Sequence, residues 1–156
     1  MSQKQVKIIV TITISFIVLI SLYMWIIKPS EVQSLNYQFA EYDVAGNINL
    51  ITENAHIISN SNVSNEEVIN VLENILIPAE NAIIKNSYNV VMSTQKYQDS
   101  LEVFRDYHRK YLAGFELLLE AKKSVNERLE EQAIELLIEA KEMRVQYTLY
   151  MSKLEE

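Results

Sequence analysis

The sequence predicts an all-α protein: a single N-terminal transmembrane helix followed by an antiparallel up-down four-helix bundle. Three observations carry this. The run Ile8–Ile27 holds no charge, no Gly and no Pro. The whole 156-residue chain has only two Gly and two Pro, so turn chemistry is scarce. After the run, apolar residues recur at spacings of three and four, the period of a helix packed on one face.

Ile8–Ile27 makes about 30 Å of helix, the thickness of the hydrocarbon core of a bilayer. A cleaved signal peptide has a shorter apolar stretch and a small-residue cleavage site. Here Tyr23-Met24-Trp25-Ile26-Ile27-Lys28-Pro29 follows instead, and no Cys is present to accept a lipid. The run therefore reads as an uncleaved signal-anchor, with Tyr23 and Trp25 at the headgroup layer. Lys4 and Lys7 precede it and Lys28 with Glu31 follow. Lysine excess marks the cytoplasmic side. Residues 1–7 are thus expected to form a short cytoplasmic tail, and residues 30–156 an extracytoplasmic helical bundle.

Pro29 disfavours helix at Lys28 and ends the anchor. Ser30 and Gln33 fit a capping box opening the first bundle helix, which is expected to reach Ser59. Asn60-Ser61-Asn62-Val63 is the clearest loop. Ser64 and Glu67 form the next capping box, with Val63 and Val68 at the staple positions. The second helix is expected from Asn65 to Ser93, kinked or briefly broken near Ile77 by Pro78. A turn at 94–99, capped by Asp99 and Glu102, separates it from the third; one helix of more than 50 residues is the alternative. Ser124 and Asn126 mark the last turn, and the fourth helix runs to about Leu154.

Leu101, Phe104, His108, Tyr111, Phe115 and Leu118 form one seam, at spacings 3, 4, 3, 4, 3. Leu129, Ala133, Leu136, Ala140, Met143, Tyr147, Tyr150 and Leu154 form another. Leu112, Leu119, Ile134, Leu137 and Ile138 are expected to widen these stripes into a bundle core. Gly46 and Gly114 cost helix stability and should mark a local bend or a close helix crossing. In outline the architecture resembles the periplasmic helical sensing modules of chemoreceptors and sensor kinases. That likeness rests on no residue, and no family follows from it.

Charge narrows the function. The chain carries 14 basic and 21 acidic residues; removing Lys4, Lys7 and Lys28 leaves 11 against 21, a net −10 for residues 29–156. Such a domain repels nucleic acid. No Gly-rich phosphate loop, nucleophile elbow or zincin motif occurs, so no enzyme and no cofactor is expected. Glu53 and His56 make half of a Glu-x-x-His pair, too little for a metal site.

Two groups remain as candidate sites. Arg105, His108, Arg109 and Lys110, interleaved with Tyr107 and Tyr111, form a basic cluster suited to a carboxylate or phosphate ligand. Met143, Tyr147, Tyr150 and Met151 form an aromatic, apolar cluster suited to a partner or to a membrane-proximal surface. The expected function is a membrane-anchored protein-protein interaction or assembly module, joined to another envelope protein or to itself. A ligand-sensing module working with a separate signalling partner, or an accessory subunit of a secretion or transport complex, is the alternative.

Overall fold

The structure, a computed structural model, describes residues 30–60 and 62–154. The expected anchor Ile8–Ile27 lies outside the described residues. Among the described residues no helix is long and apolar enough to cross a membrane.

The described chain is all-helical: α1 (Glu31–Glu41), α2 (Val44–Ile58), α3 (Asn65–Val71), a π-helical turn (Leu72–Leu76), α4 (Ile77–Ser87), α5 (Gln95–Ser124) and α6 (Glu127–Leu154). Successive limbs run antiparallel. Asn65 Nδ2 at the start of α3 donates to Lys122 O at the end of α5, 3.0 Å away. Tyr97 Oη at the start of α5 reaches Leu154 O at the end of α6, at 3.4 Å.

The first expected helix is split. Asp43 takes the left-handed conformation, φ 56°, and divides α1 from α2. Asp tolerates that region because its short polar side chain can bond locally, and Asn47 Nδ2 donates to Asp43 O at 2.6 Å. Gly46 explains the rest. A Cβ there would lie 2.2 Å from Asp43 Oδ1, so the glycine clears space for the aspartate side chain. The bend is bought by neither core nor loop but by these two positions.

The cap after the first loop forms as expected: Ser64 Oγ accepts from Glu67 N at 3.2 Å, and Val68 is buried below it. Pro78 does not break the limb. Its effect is met upstream by the π turn, where the Ile77 N–H bonds the Leu72 carbonyl five residues back. Pro78 then falls in the first turn of α4, where a missing N–H is tolerated.

The connection to α5 comes earlier than expected, at 88–94 rather than 94–99, and α4 and α5 are separate helices. Val90 and Met92 are buried there, while Val91 between them is exposed. The Gln38 amide holds this segment in place from both sides, donating to Val91 O at 2.9 Å and accepting from Val91 N at 2.8 Å. The helix starts at Gln95, behind an extended Thr94, rather than at an Asp99 cap.

The core has two parts. Leu35, Phe39, Val44, Ile83, Leu101 and Phe104 anchor one cluster; Val68, Leu72, Leu76, Phe115, Leu118 and Ala133 anchor the other. The α5 seam is buried except at Tyr111, which is half-buried. On α6, Ala133 and Ala140 are fully buried, and Ile134 and Ile138 are exposed, contrary to their expected place in a widened core. The cause is the neighbourhood: α6 packs closely along α5 and approaches no other helix to the same extent. One neighbour needs only a narrow stripe. The crossing is tight at Gly114, where an added Cβ would lie 2.7 Å from Leu137 Cδ2.

Candidate functional site

The core is interrupted by a polar layer. On α4, Glu80 falls between Leu76 of one cluster and Ile83 of the other; on α5, His108 falls between Phe104 and Phe115. Glu80 is 1% exposed and His108 5%. His108 Nδ1 lies 2.6 Å from Glu80 Oε2. Burial raises the Glu80 pKa above the ordinary carboxylate range, against the opposing pull of the histidine. The second ring nitrogen, His108 Nε2, is buried and has no hydrogen-bond partner among the described residues. Buried polar atoms are normally paired, so an orphan is a feature to explain.

This layer borders a cleft of about 330 Å³ between α2 and α6, floored by α5. Ile48, Ile51, Ala55 and Ile58 form the α2 wall, while Leu137 and Arg144 come from α6. Tyr107, His108, Tyr111 and Phe115 line it from α5, and Glu80 from α4. The aromatic rings interlock: Tyr107 lies edge-on to Tyr111, with centroids 6.2 Å apart, and Tyr111 stacks on Phe115 at 6.1 Å. Burial holds the Tyr107 and Tyr111 hydroxyls above the ordinary phenol range, with the Arg144 charge opposing it in both. Burial also pushes Tyr147 up to about 12. These phenols are hydrogen-bonding groups rather than proton carriers at neutral pH.

The basic cluster on α5 does not converge. Arg105 turns to the end of α4, donating from Nη2 to Ser87 O at 2.7 Å and from Nε to Ser87 Oγ at 3.2 Å, with its guanidinium 4.4 Å over the Tyr88 ring. It also pairs with Glu102. Ser87 O, which also accepts from Val90 N at 3.2 Å, thus takes a second hydrogen bond at the end of α4. Arg109 pairs with Asp106 at 2.5 Å and with the Tyr88 hydroxyl. Lys110 crosses to Glu139 on α6. His108 alone of the four points to the interior layer with Glu80.

In the C-terminal cluster, Met143, Tyr147 and Met151 pack against the first core, with Tyr147 5.7 Å from Phe104 and 5.6 Å from Tyr107 by ring centroids. Tyr150 is exposed. Glu53 and His56 are both exposed, and among the described residues no three His, Cys, Asp or Glu side chains gather as for a metal ion.

Sequence reasoning missed Glu80, Arg144 and the outer face of α6. Glu80 carried a signal: Val68, Leu72, Leu76 and Glu80 recur every four residues, so a carboxylate stands on an apolar line. The outer face carried one too, since Ile134, Ile138, Val145 and Leu149 share one side of an ideal helix. No family model matches the chain, and neither a curated protein nor a solved structure does.

Proposed function

We propose that this chain is a membrane-anchored assembly module, its bundle outside the membrane and its N-terminus cytoplasmic, that pairs with a second copy through the outer face of α6. The supporting observation is the apolar stripe on that face. Ile134, Ile138, Val145 and Leu149 are 46%, 52%, 50% and 57% exposed. Large apolar side chains repeated along one exposed helix face mark an interaction surface.

Charge placement selects the partner and the direction. Lys141 and Glu142 sit at mid-stripe on its two opposite flanks, and neither forms an ion pair among the described residues. A two-fold axis along two parallel copies of α6 sets each apolar residue against its own equivalent. It also brings the Lys141 flank of one copy to the Glu142 flank of the other, within one helical rise of the same height. An antiparallel pair would set Lys141 against Lys141.

The chain has no Cys, so single substitutions report directly. Full-length Ile138→Cys and Val145→Cys proteins in lipid nanodiscs or membranes should each form a disulfide-linked dimer under mild oxidation, and Glu120→Cys on α5 should not. Ile138→Asp with Val145→Asp should give a folded monomer by light scattering. A wild-type chain that is monomeric at every concentration removes the proposal.

A further inference from the structure

The cleft between α2 and α6 has a composition that the pairing of α6 does not use. Its walls are aliphatic and aromatic: Ile48, Ile51, Ala55, Phe115 and Leu137. Its volume of about 330 Å³ is at the lower end of the range for small-molecule sites. Two nitrogen-bearing groups in its lining, the Arg144 guanidinium and His108 Nε2, make no hydrogen bond or ion pair among the described residues. Arg144 is exposed at the α6 side and forms no ion pair among the described residues, in a domain of otherwise surplus carboxylates. His108 borders the floor with Nε2 buried and unbonded.

An unpaired guanidinium beside apolar walls selects one class of ligand. Arg binds a planar carboxylate through two parallel hydrogen bonds. The walls bury an aryl or short alkyl body by the ordinary hydrophobic term. A phosphate dianion would suit Arg144 but would leave the aliphatic wall unused, and an amine would meet a like charge. We infer that the cleft is a binding site for a small carboxylic acid with an apolar body, its carboxylate on Arg144 and its body between α2 and Phe115. Tyr111 is placed in the same lining to donate from its hydroxyl to the second carboxylate oxygen. Burial keeps that hydroxyl protonated. The Glu80–His108 pair borders the same cleft.

The probe is 4-phenylbutyrate, with 4-phenylbutyramide as its uncharged match and empty nanodiscs as the background. Ligand-observed NMR on the full-length chain in nanodiscs should show saturable binding of the acid above the background. The amide should bind at least about tenfold more weakly, the value of one charge-assisted contact. Arg144→Gln should bring the acid down to the amide, and Ala55→Phe, which fills the cleft, should abolish binding of both. Circular dichroism of each variant checks the fold. Arg144 is exposed, so Arg144→Gln carries the test if Ala55→Phe fails to fold. No saturable binding, equal binding of acid and amide, or acid binding unchanged in Arg144→Gln each overturns the assignment. Dimer formation by the cysteine assay is read separately, so either proposal can fail alone.

Discussion

Gly114→Ala is the substitution whose outcome depends most directly on the packing of α6 on α5. Considered on its helix alone, it should stabilise, since Ala is better than Gly by about 1 kcal/mol in a helix interior. The crossing reverses the sign. The new Cβ would lie 2.7 Å from Leu137 Cδ2, 2.9 Å from Leu137 Cγ and 3.4 Å from the Leu137 backbone N. The branch point Cγ is not the free end of a flexible side chain, so rotating one methyl away leaves a clash and the helices must separate. Overpacking of this kind costs about 1–3 kcal/mol. The net expectation is a loss of about 1 kcal/mol, or roughly 4 °C in Tm for a domain of this size. With Leu137→Ala the obstacle is gone, and Gly114→Ala should then stabilise by about 1 kcal/mol, the propensity difference. The coupling between the sites is therefore about 2 kcal/mol, within the range for residues in contact. Thermal unfolding of the full-length chain in detergent, followed by circular dichroism for the four members of the cycle, measures it. A higher Tm for Gly114→Ala in the native background, or the same effect in both backgrounds, refutes the close crossing.

Two further outcomes follow from other elements. Val125, 85% exposed, holds a left-handed conformation at φ 51° between α5 and α6. That region is strained for a β-branched residue, so Val125→Gly should raise stability by about 1 kcal/mol in urea unfolding, and a loss would show that the valine side chain has an unrecognised contact. Glu80 has a raised folded pKa, so the native state holds its proton more tightly than the unfolded chain does. Its contribution is fully present below the ordinary value of 4.5 and is lost as pH rises through the raised value. Glu80→Gln should therefore compare increasingly well with the native chain as pH rises from about 4.5 to 7. A Glu80→Gln variant that instead loses stability relative to the native chain over that interval would place the Glu80–His108 attraction above burial.

The α5 seam was legible because its residues keep one spacing over a single unbroken helix. Leu101, Phe104, His108, Phe115 and Leu118 are all buried as that spacing requires. Legibility failed where the backbone departs from the ideal helix. The break at Asp43 depends on a left-handed residue and on the room Gly46 leaves for its side chain, and no cap pattern announces it. The early start of α5 depends on Gln38, 53 residues away from Val91. Ile134 and Ile138 were read inward because a pattern gives the direction of a face and not the number of helices that will cover it. For the candidate site, His108 was visible as a polar residue on a seam. The acid that meets it lies 28 residues earlier, on another helix, and only tertiary structure joins them.

The π turn at Leu72–Leu76 has a consequence for Glu80 that can be counted in degrees. Val68, Leu72, Leu76 and Glu80 are separated by steps of four. At about 100° per residue, three such steps overshoot three full turns by roughly 120°, which would carry Glu80 off the face that Val68 occupies. A π turn takes up one extra residue, removing roughly 100° of that drift and leaving the four nearly in line. Winding 72–76 as regular α-helix with all its residues kept would rotate Glu80, Ile83 and Ser87 together, away from His108 and Arg105, whereas removing one residue along with the turn would leave them facing as they do. The turn thus works as the reading frame of this limb. Its one surplus residue decides which side chains of α4 face α5, and every position after it inherits that choice.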